Sequence, residues 1–193
     1  MRHLQLAHVV LASCSLIAAL AAQCASPPQW SALLTSTEAV DALVPDGSGG
    51  FFAGGTFTTI GGTAASRIAR WNGSTWSALG SGLSGGVTAV NALLRTSSGT
   101  LIAAGTFTTA GGVAASHIAR WNGSSWSALG SGVQSPGGML VRQNGQLVVG
   151  GQFAGLTSFV ASWNGSSWQP VGNFVWIVPN GFAEFGNGEL LAA

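Results

Sequence analysis

The sequence contains no tyrosine and no lysine, and only 6% of its 193 residues are charged. The six basic residues are all arginine and are scattered along the chain, and the formal net charge is +1. A protein that follows a nucleic-acid backbone needs cations grouped on one face. We therefore predict no nucleic-acid partner for this chain.

Cysteine is also scarce, and both cysteines, Cys14 and Cys24, lie in or beside an apolar N-terminal segment. A mature chain from which that segment has been removed keeps at most one thiol and cannot form an internal disulfide. The stability of the mature protein must therefore come from packing.

The N-terminal segment is typical of a secretory signal peptide. Arg2 and His3 precede an apolar run over residues 4–22, and small residues follow before two prolines. A membrane-spanning helix needs about 20 consecutive apolar residues, whereas His8 interrupts this run. We predict a signal peptide over residues 1–22, cleaved after Ala22, and a secreted or cell-surface protein whose mature chain has no transmembrane anchor.

A second possibility is a lipoprotein anchored at Cys14. The sequence Leu11-Ala12-Ser13-Cys14 resembles the bacterial lipobox, in which the cysteine becomes the lipidated first residue. An apolar stretch follows Cys14, however, where a polar linker is usual, so this placement is less suitable for a lipid anchor.

After the N-terminal segment the chain repeats itself. The residues from Thr56 to Gly82 match those from Thr106 to Gly132 at 23 of 27 positions, at a period of 50. A third copy begins at Leu140 and has four fewer residues between Phe153 and Trp163 than the second copy has at the same place. Repeats of this length indicate a modular architecture built from supersecondary units.

Each repeat is predicted to contain four short strands. In the second copy these are residues 89–95, 100–107, 117–121 and 125–129, separated by Ser-Ser-Gly, a Gly-Gly loop and Asn-Gly-Ser. In the third copy Asn144-Gly145 predicts a tight hairpin, because both residues tolerate positive φ. Most strands are apolar on both faces and therefore need cover on both sides. The fold class predicted is an all-β propeller of four-stranded antiparallel blades.

The repeats place three whole blades at about residues 38–80, 88–130 and 138–171, with partial blades at 29–33 and 181–193. The first partial blade resembles a fourth strand, and the second supplies the first two strands of a blade. We therefore expect either a fragment of a longer propeller or an open one, whose unpaired blade edges promote self-association.

The stretch "GTFTTAGGVAASHIARWNGSSWSALGSG" (residues 105–132) resembles the repeats of secreted bacterial propellers of the kelch and galactose-oxidase superfamily, and in particular the fungal cortical-marker type of propeller repeat. The resemblance covers most of the chain after Gln29. It implies a scaffold and no particular reaction.

The residues present argue against an enzyme. Copper-radical oxidation, which the superfamily suggests, needs tyrosine ligands and a Tyr-Cys crosslink, and this chain has no tyrosine. His117 is the only histidine outside the N-terminal segment, so neither a histidine-based metal site nor a Ser-His-Asp triad is available. The five acids lie near the two ends of the chain and in no motif that indicates a glycosidase pair. We predict no catalytic residues, no metal and no cofactor.

Two repeated polar positions admit two interpretations each. Arg70 and Arg120, replaced by Ser162 in the third copy, are either edge or interblade hydrogen-bonding residues or part of an anion site. The Asn-Gly-Ser triplets at Asn72, Asn122 and Asn164 match the glycosylation sequon, but a tight turn explains all three.

Paired tryptophans are the most promising candidate site, and they bracket each Asn-Gly-Ser turn: Trp71, Trp76, Trp121, Trp126, Trp163 and Trp168. If buried, each pair fills the gap between blades; if exposed, the pairs form a platform for sugars. The function predicted is a non-enzymatic scaffold or binding module whose partner is an unknown protein or polysaccharide. The alternative is a lectin-like propeller that binds carbohydrate through these tryptophans.

Overall fold

A computed structural model describes residues 36, 38–86, 88–172, 178–186 and 188–192, which fall within one compact unit, Ser36–Ala193. The predicted signal peptide, both cysteines and the predicted partial blade at 29–33 lie outside the described residues. Across the described ranges the chain forms strands and no helix. This part of the chain therefore contains no helix that is long and apolar enough to cross a membrane.

Three antiparallel sheets of four strands each, here called blades 1 to 3, follow one another along the chain. Blade 1 consists of β1 (Val40–Pro45), β2 (Phe51–Gly55), β5 (Ile68–Trp71) and β6 (Trp76–Ala78). Blade 2 consists of β8 (Val90–Arg95), β9 (Leu101–Gly105), β12 (Ile118–Trp121) and β13 (Trp126–Ala128). Blade 3 consists of β14 (Met139–Val141), β15 (Leu147–Gly150), β16 (Val160–Trp163) and β17 (Trp168–Pro170). A terminal hairpin of β18 (Phe182–Glu184) and β19 (Leu190–Ala192) comes after blade 3.

Within each blade the strands pair in chain order, so every blade has two sides. The turns between the first two and the last two strands lie on one side, here called the turn side. The loops between the second and third strands, and the connections to the next blade, lie on the other, here called the loop side. The first strands of successive blades lie beside one another, β1 next to β8 and β8 next to β14. This arrangement confirms the predicted all-β fold of four-stranded antiparallel blades.

Hydrophobic cores lie between the blades. In β9, Leu101 and Ala103 pack into the core shared with blade 1. Ile102 and Ala104, the alternate residues, pack into the core shared with blade 3. Side chains alternate between the two faces of a strand, and all five residues of β9 are buried. The sequence prediction that these strands need cover on both faces is therefore confirmed.

The Gly-Gly loops contain strands that the sequence prediction missed. In blade 2, β10 (Thr109–Ala110) and β11 (Val113–Ala114) form a hairpin, and β10 also pairs with β7 (Leu83–Ser84) from the connection after blade 1. In blade 1, β3 (Thr59–Ile60) and β4 (Thr63–Ala64) form the equivalent hairpin. A two-residue strand is too short to show a periodic pattern, so alternation alone does not reveal it.

The Asn144-Gly145 turn also differs in detail from the prediction. Only Gly145 has a positive φ, 84°, and Asn144 does not. The N–H of Gly145 donates to the carbonyl of Arg142 at 2.8 Å, and the N–H of Arg142 donates to the carbonyl of Gln146 at 2.9 Å. The hairpin therefore has the longer connection in which a single left-handed glycine follows the turn, rather than a two-residue turn with two such residues.

Candidate functional site

The six candidate tryptophans form three pairs across the turns between the last two strands of the blades. The pairs are Trp71 with Trp76, Trp121 with Trp126, and Trp163 with Trp168, with ring centroids 5.5, 5.3 and 5.2 Å apart. The rings are inclined by 53°, 50° and 60° in the same order. These distances and inclinations are favourable for aromatic pairs. The two tryptophans that bracket each turn therefore contact each other across it.

The second tryptophan of each pair is buried, and Trp126 and Trp168 lie between consecutive blades. Trp126 is 5% exposed, and its indole N–H donates a 2.8 Å hydrogen bond to the carbonyl oxygen of Leu79 in blade 1. Trp168 makes the equivalent bond, of 3.0 Å, to Leu129 in blade 2. Trp76 is buried as well. Because the accepting leucine belongs to the preceding blade, each bond joins two consecutive blades.

The first tryptophan of each pair, Trp71, Trp121 and Trp163, is half-buried. One side of each ring is occupied by the buried partner, and the connection from the preceding blade lies close to Trp163, where a Cβ on Gly130 would meet the ring edge at 2.9 Å. Part of each ring remains in solvent. Among the six candidate residues, these three retain surface for a ligand.

The Asn-Gly-Ser triplets form the turns that separate the paired tryptophans. In blade 2 the Oδ1 atom of Asn122 accepts hydrogen bonds from the backbone N–H groups of Ser124 and Ser125, at 2.9 and 2.8 Å. Gly123 has a φ of 102°, which glycine adopts without steric cost. Blades 1 and 3 repeat this arrangement. The asparagine side chain therefore acts by satisfying the turn's backbone donors.

Arg70 makes its polar contacts within its own blade and not with a neighbouring one. Its Nε and Nη2 atoms donate to Oδ2 of Asp46 at 2.9 and 2.7 Å. Arg120, at the same position in blade 2, has Thr96 in place of the aspartate, and its Nε donates to the Oγ of Ser127. The side chain at this position thus pairs with whatever polar group its own blade offers.

Asp46 is the most strongly perturbed carboxyl group of the described chain. The side chain of Asp46 is only 1% exposed, and this burial by itself raises its pKa. Hydrogen bonds from the backbone and hydroxyl of Ser48, from Arg70 and from the backbone of Gly50 outweigh burial and lower the pKa to about 2. The carboxylate is ionised at neutral pH and serves to close the turn between β1 and β2.

A second ion pair joins blade 3 to the terminal hairpin. Nε of Arg142 lies 2.9 Å from Oε1 of Glu184, and Nη2 of Arg142 donates to the carbonyl of Gly188. The backbone N–H of Gln143 donates to Oε2 of Glu184 at 2.6 Å. The Gln143 N–H and the Arg142 guanidinium together lower the pKa of Glu184. This pair attaches β18 to the turn side of blade 3.

Asp41, His117 and Arg67 are titratable groups of the described residues that lie outside these two ion pairs. Burial raises the pKa of Asp41. Over the described ranges no three His, Cys, Asp or Glu side chains come close enough together to hold a metal ion. His117 stands immediately before β12 with a φ of 62°, and Arg67 has the same position and a φ of 64° in blade 1. The N–H of His117 donates to the carbonyl of Phe107, and its carbonyl accepts from Gly105, so the backbone of this residue closes the loop.

The sequence prediction overlooked a groove on the loop side, where blade 2 meets blade 3. A cavity of about 360 Å³ is lined there by polar groups that include Ser116, His117, Ser131, Gln134, Ser135 and Gln152. A second cavity of about 260 Å³ shares Gln134 and Gln152 and continues along the shortened loop of blade 3, past Leu156 and Phe159. Together these two cavities are here called the junction groove. The missing four residues of the third copy were the sequence signal that could have indicated it.

Comparison with known families gives a match to a propeller family. Residues 18–175 match the family described as the Rax2 C-terminal beta propeller domain, and this range contains all three four-stranded blades. No curated protein matches the chain. The repeats, the four-stranded blades and the family match agree on a β-propeller, a fold that serves as a scaffold or binding module. The chain belongs to the family of the Rax2 C-terminal beta propeller domain.

Proposed function

We propose that this protein is secreted or displayed at the cell surface, where its propeller acts as a non-catalytic scaffold and binding module. The main support for this proposal is that the repeated side chains join blades, close turns and pair charges. Trp126 and Trp168 join blades, Asn122 closes a turn, and Arg70 neutralises a buried carboxylate. Residues repeated for packing and turn formation support a framework role.

Two of the carboxylates favour a non-catalytic role as well. Asp46 and Glu184 are each held by an arginine, which keeps both ionised at neutral pH. A general acid at neutral pH needs the opposite environment, one that raises its pKa toward 7. Neither group is therefore suited to donate a proton in a reaction.

The location outside the cell is supported by the N-terminal pattern. A basic start, an apolar run over residues 4–22 and small residues before Pro27 are the three parts of a secretory signal. The interblade hydrogen bonds and cores stabilise the described blades without a disulfide, which suits a chain whose two cysteines lie at its start.

Expression of the full chain with a C-terminal tag, in a bacterial host with a secretory pathway, tests the location. We expect tagged protein outside the cytoplasm with a new N-terminus at Gln23, as read by N-terminal sequencing. The control is Val9→Asp with Val10→Asp, which breaks the apolar run and should keep the full-length chain inside the cell. Membrane-bound protein that becomes soluble in Cys14→Ala would instead indicate the lipoprotein, and wild-type chain that keeps Met1 in the cytoplasm would contradict secretion.

Carbohydrate binding through the tryptophans is the second candidate, and the partly exposed rings of Trp71, Trp121 and Trp163 favour it. Stacking of a sugar on such a ring changes the polarity around the indole, so tryptophan fluorescence should shift when soluble polysaccharides are added. An unchanged spectrum with glucans, mannans and chitin fragments would rule out this use of the tryptophans.

A further inference from the structure

The junction groove exists because the loop of blade 3 is shorter than its counterpart in blade 2. Between blades 1 and 2 the hairpin β10–β11 covers the loop side, and the hydroxyls of Ser84 and Thr109 lie 2.6 Å apart. Between blades 2 and 3 only an isolated bridge, Gln134 to Gln152, takes the place of that pairing. Loss of four residues thus replaces a covered junction with an open one.

The side chains of the two glutamines are available to a ligand. Both residues are exposed, and within the described ranges neither side-chain amide bonds to another residue. Their backbones are engaged with each other, since the N–H of each donates to the carbonyl of the other at 2.7 and 2.8 Å. The bridge therefore holds two free amide groups, each with donors and an acceptor, at the centre of the groove.

A third polar group at the groove lacks a partner. The Nδ1 atom of His117 is buried and, in the part of the chain that the structure describes, has no hydrogen-bond partner. His117 lines the larger cavity together with Ser131 and Ser135. A buried polar atom without a partner is costly, and a hydroxyl or a water brought into the cavity would satisfy it.

The groove is built for a neutral ligand. Neither cavity is lined by a carboxylate, an ammonium or a guanidinium group among the described residues. A charged ligand would lose its hydration there without gaining an opposite charge. An entirely apolar ligand would leave the amides and hydroxyls of the larger cavity unpaired.

The side chains that line the two cavities favour a sugar over a peptide as the ligand. The hydroxyl and amide groups of the larger cavity suit the hydroxyls of a saccharide, and the half-buried Phe159 and Leu156 of the smaller one suit its C–H face. A peptide that adds to a sheet edge needs free backbone donors and acceptors. The backbones of Gln134 and Gln152 are already paired, so the bridge does not provide such an edge.

We propose that the junction groove binds a neutral oligosaccharide, held by the side-chain amides of Gln134 and Gln152 and by the neighbouring hydroxyls. This rests on the proposed role as a binding module and gives that module a ligand class and a place. The two cavities together fall within the usual size of small-molecule sites, about 300–1,000 Å³. No tryptophan lines either cavity, although Phe153, which lines the smaller one, packs on Trp168 with ring centroids 4.9 Å apart.

Titration of the secreted chain, followed by NMR, tests the proposal. The probes are laminarihexaose, cellohexaose and chitohexaose, three neutral oligosaccharides that differ in linkage and substituent. We expect at least one to shift the amide signals of Gln134, Gln152 and Phe159. Gln134→Ala and Gln152→Ala should each raise the Kd about tenfold, the loss expected for one or two hydrogen bonds.

The matched control is Gln143→Ala, which removes an exposed glutamine amide on the turn side and should leave the Kd unchanged. Shifts at the indole signals of Trp71, Trp121 and Trp163 with no effect of the glutamine variants would overturn the proposal in favour of the tryptophan surface. A neutral peptide rich in Asn and Gln that shifts the groove signals when no saccharide does would also overturn it. A folded, secreted chain that responds to none of the saccharides would also overturn the proposal. That result would leave the scaffold role intact.

Discussion

The indole N–H of Trp126 in blade 2 donates a 2.8 Å hydrogen bond to the carbonyl oxygen of Leu79 in blade 1. Trp168 bonds to Leu129 in the same way. Leu79 and Leu129 each stand three residues after a tryptophan, in the repeated letters Trp-Ser-Ala-Leu. The recurrence of these letters is therefore explained by a chain of contacts, since the tryptophan of one repeat donates to the leucine of the repeat before it.

Removal of this donor should destabilise the junction between blades 1 and 2. Trp126→Phe keeps an aromatic ring but removes the indole donor, so the Leu79 carbonyl keeps only its bond from the N–H of Gly82, at 3.1 Å. We expect a loss of about 0.5–1.5 kcal/mol in the free energy of unfolding, the net contribution of one hydrogen bond. Trp121→Phe is the control, because the Trp121 ring is half-buried and contacts its pair partner without an interblade hydrogen bond. The measurement is the urea midpoint at constant slope, and equal losses in the two variants would contradict the role of the bond.

Asp46 should make stability depend on acid pH. Because its folded pKa, about 2, is below the ordinary value of 3.8, its contribution is present above about pH 4 and is lost as the pH falls toward 2. Solvent around the half-exposed Arg70 screens the pair, so we expect about 1–2 kcal/mol. Thermal melts at several pH values should show a steeper fall in Tm between pH 4 and 2 for the wild type than for Asp46→Asn. Parallel curves would show that Asp46 does not contribute.

Arg142 should hold the terminal hairpin against blade 3. In Arg142→Ala, Glu184 and the carbonyl of Gly188 lose their guanidinium partner. We expect hydrogen exchange in β18 and β19 to become about five- to tenfold faster, with blade 1 unaffected. Arg120→Ala is the matched control, since the Nε of Arg120 donates to Ser127 of its own blade and the described contacts of Arg120 do not reach the hairpin. The proposed role of Arg142 is wrong if the two variants exchange alike in the hairpin.

Alanine substitutions at two glycines with nearly the same φ distinguish the cost of backbone strain from the cost of steric overlap. Gly112 has a φ of 82° with nothing within 4 Å of an added Cβ, whereas a Cβ on Gly132, at φ 81°, would overlap the carbonyl oxygen of Ser116. Gly112→Ala should cost about 1 kcal/mol from the left-handed conformation alone. Gly132→Ala should cost at least about 1 kcal/mol more, because the connection between blades has to shift. Chemical denaturation measures both, and equal costs would show that the connection yields freely.

Much of the blade architecture was predictable from local patterns. The predicted strand over residues 100–107 corresponds to β9, and the predicted strand over 125–129 corresponds to β13, with ends that differ by one or two residues. Apolar residues on both faces predicted burial between neighbours, and Ile102 and Leu101 do face opposite cores. The pairing of Trp121 with Trp126 followed from their places on either side of a short turn.

Contacts between residues of different elements were not predictable in the same way. Nothing near Arg70 in the sequence identifies Asp46 as its partner, because 24 residues separate them and Thr96 replaces the aspartate in the next blade. The junction groove was missed because it depends on the neighbouring blade. The shortened loop was visible in the sequence, but whether it exposed polar or apolar surface depended on what lay across the junction.

The sequence by itself determined the repeat, the antiparallel strands and the turns, because periodicity, glycine and asparagine act over a few neighbouring residues. The tertiary structure decided what each repeated group does. Trp126 became a link between blades because Leu79 of the preceding blade stands within hydrogen-bond distance of its buried indole. Gln134 and Gln152 became neighbours because stacking of consecutive blades brings a connection and a loop together that are 18 residues apart in the chain.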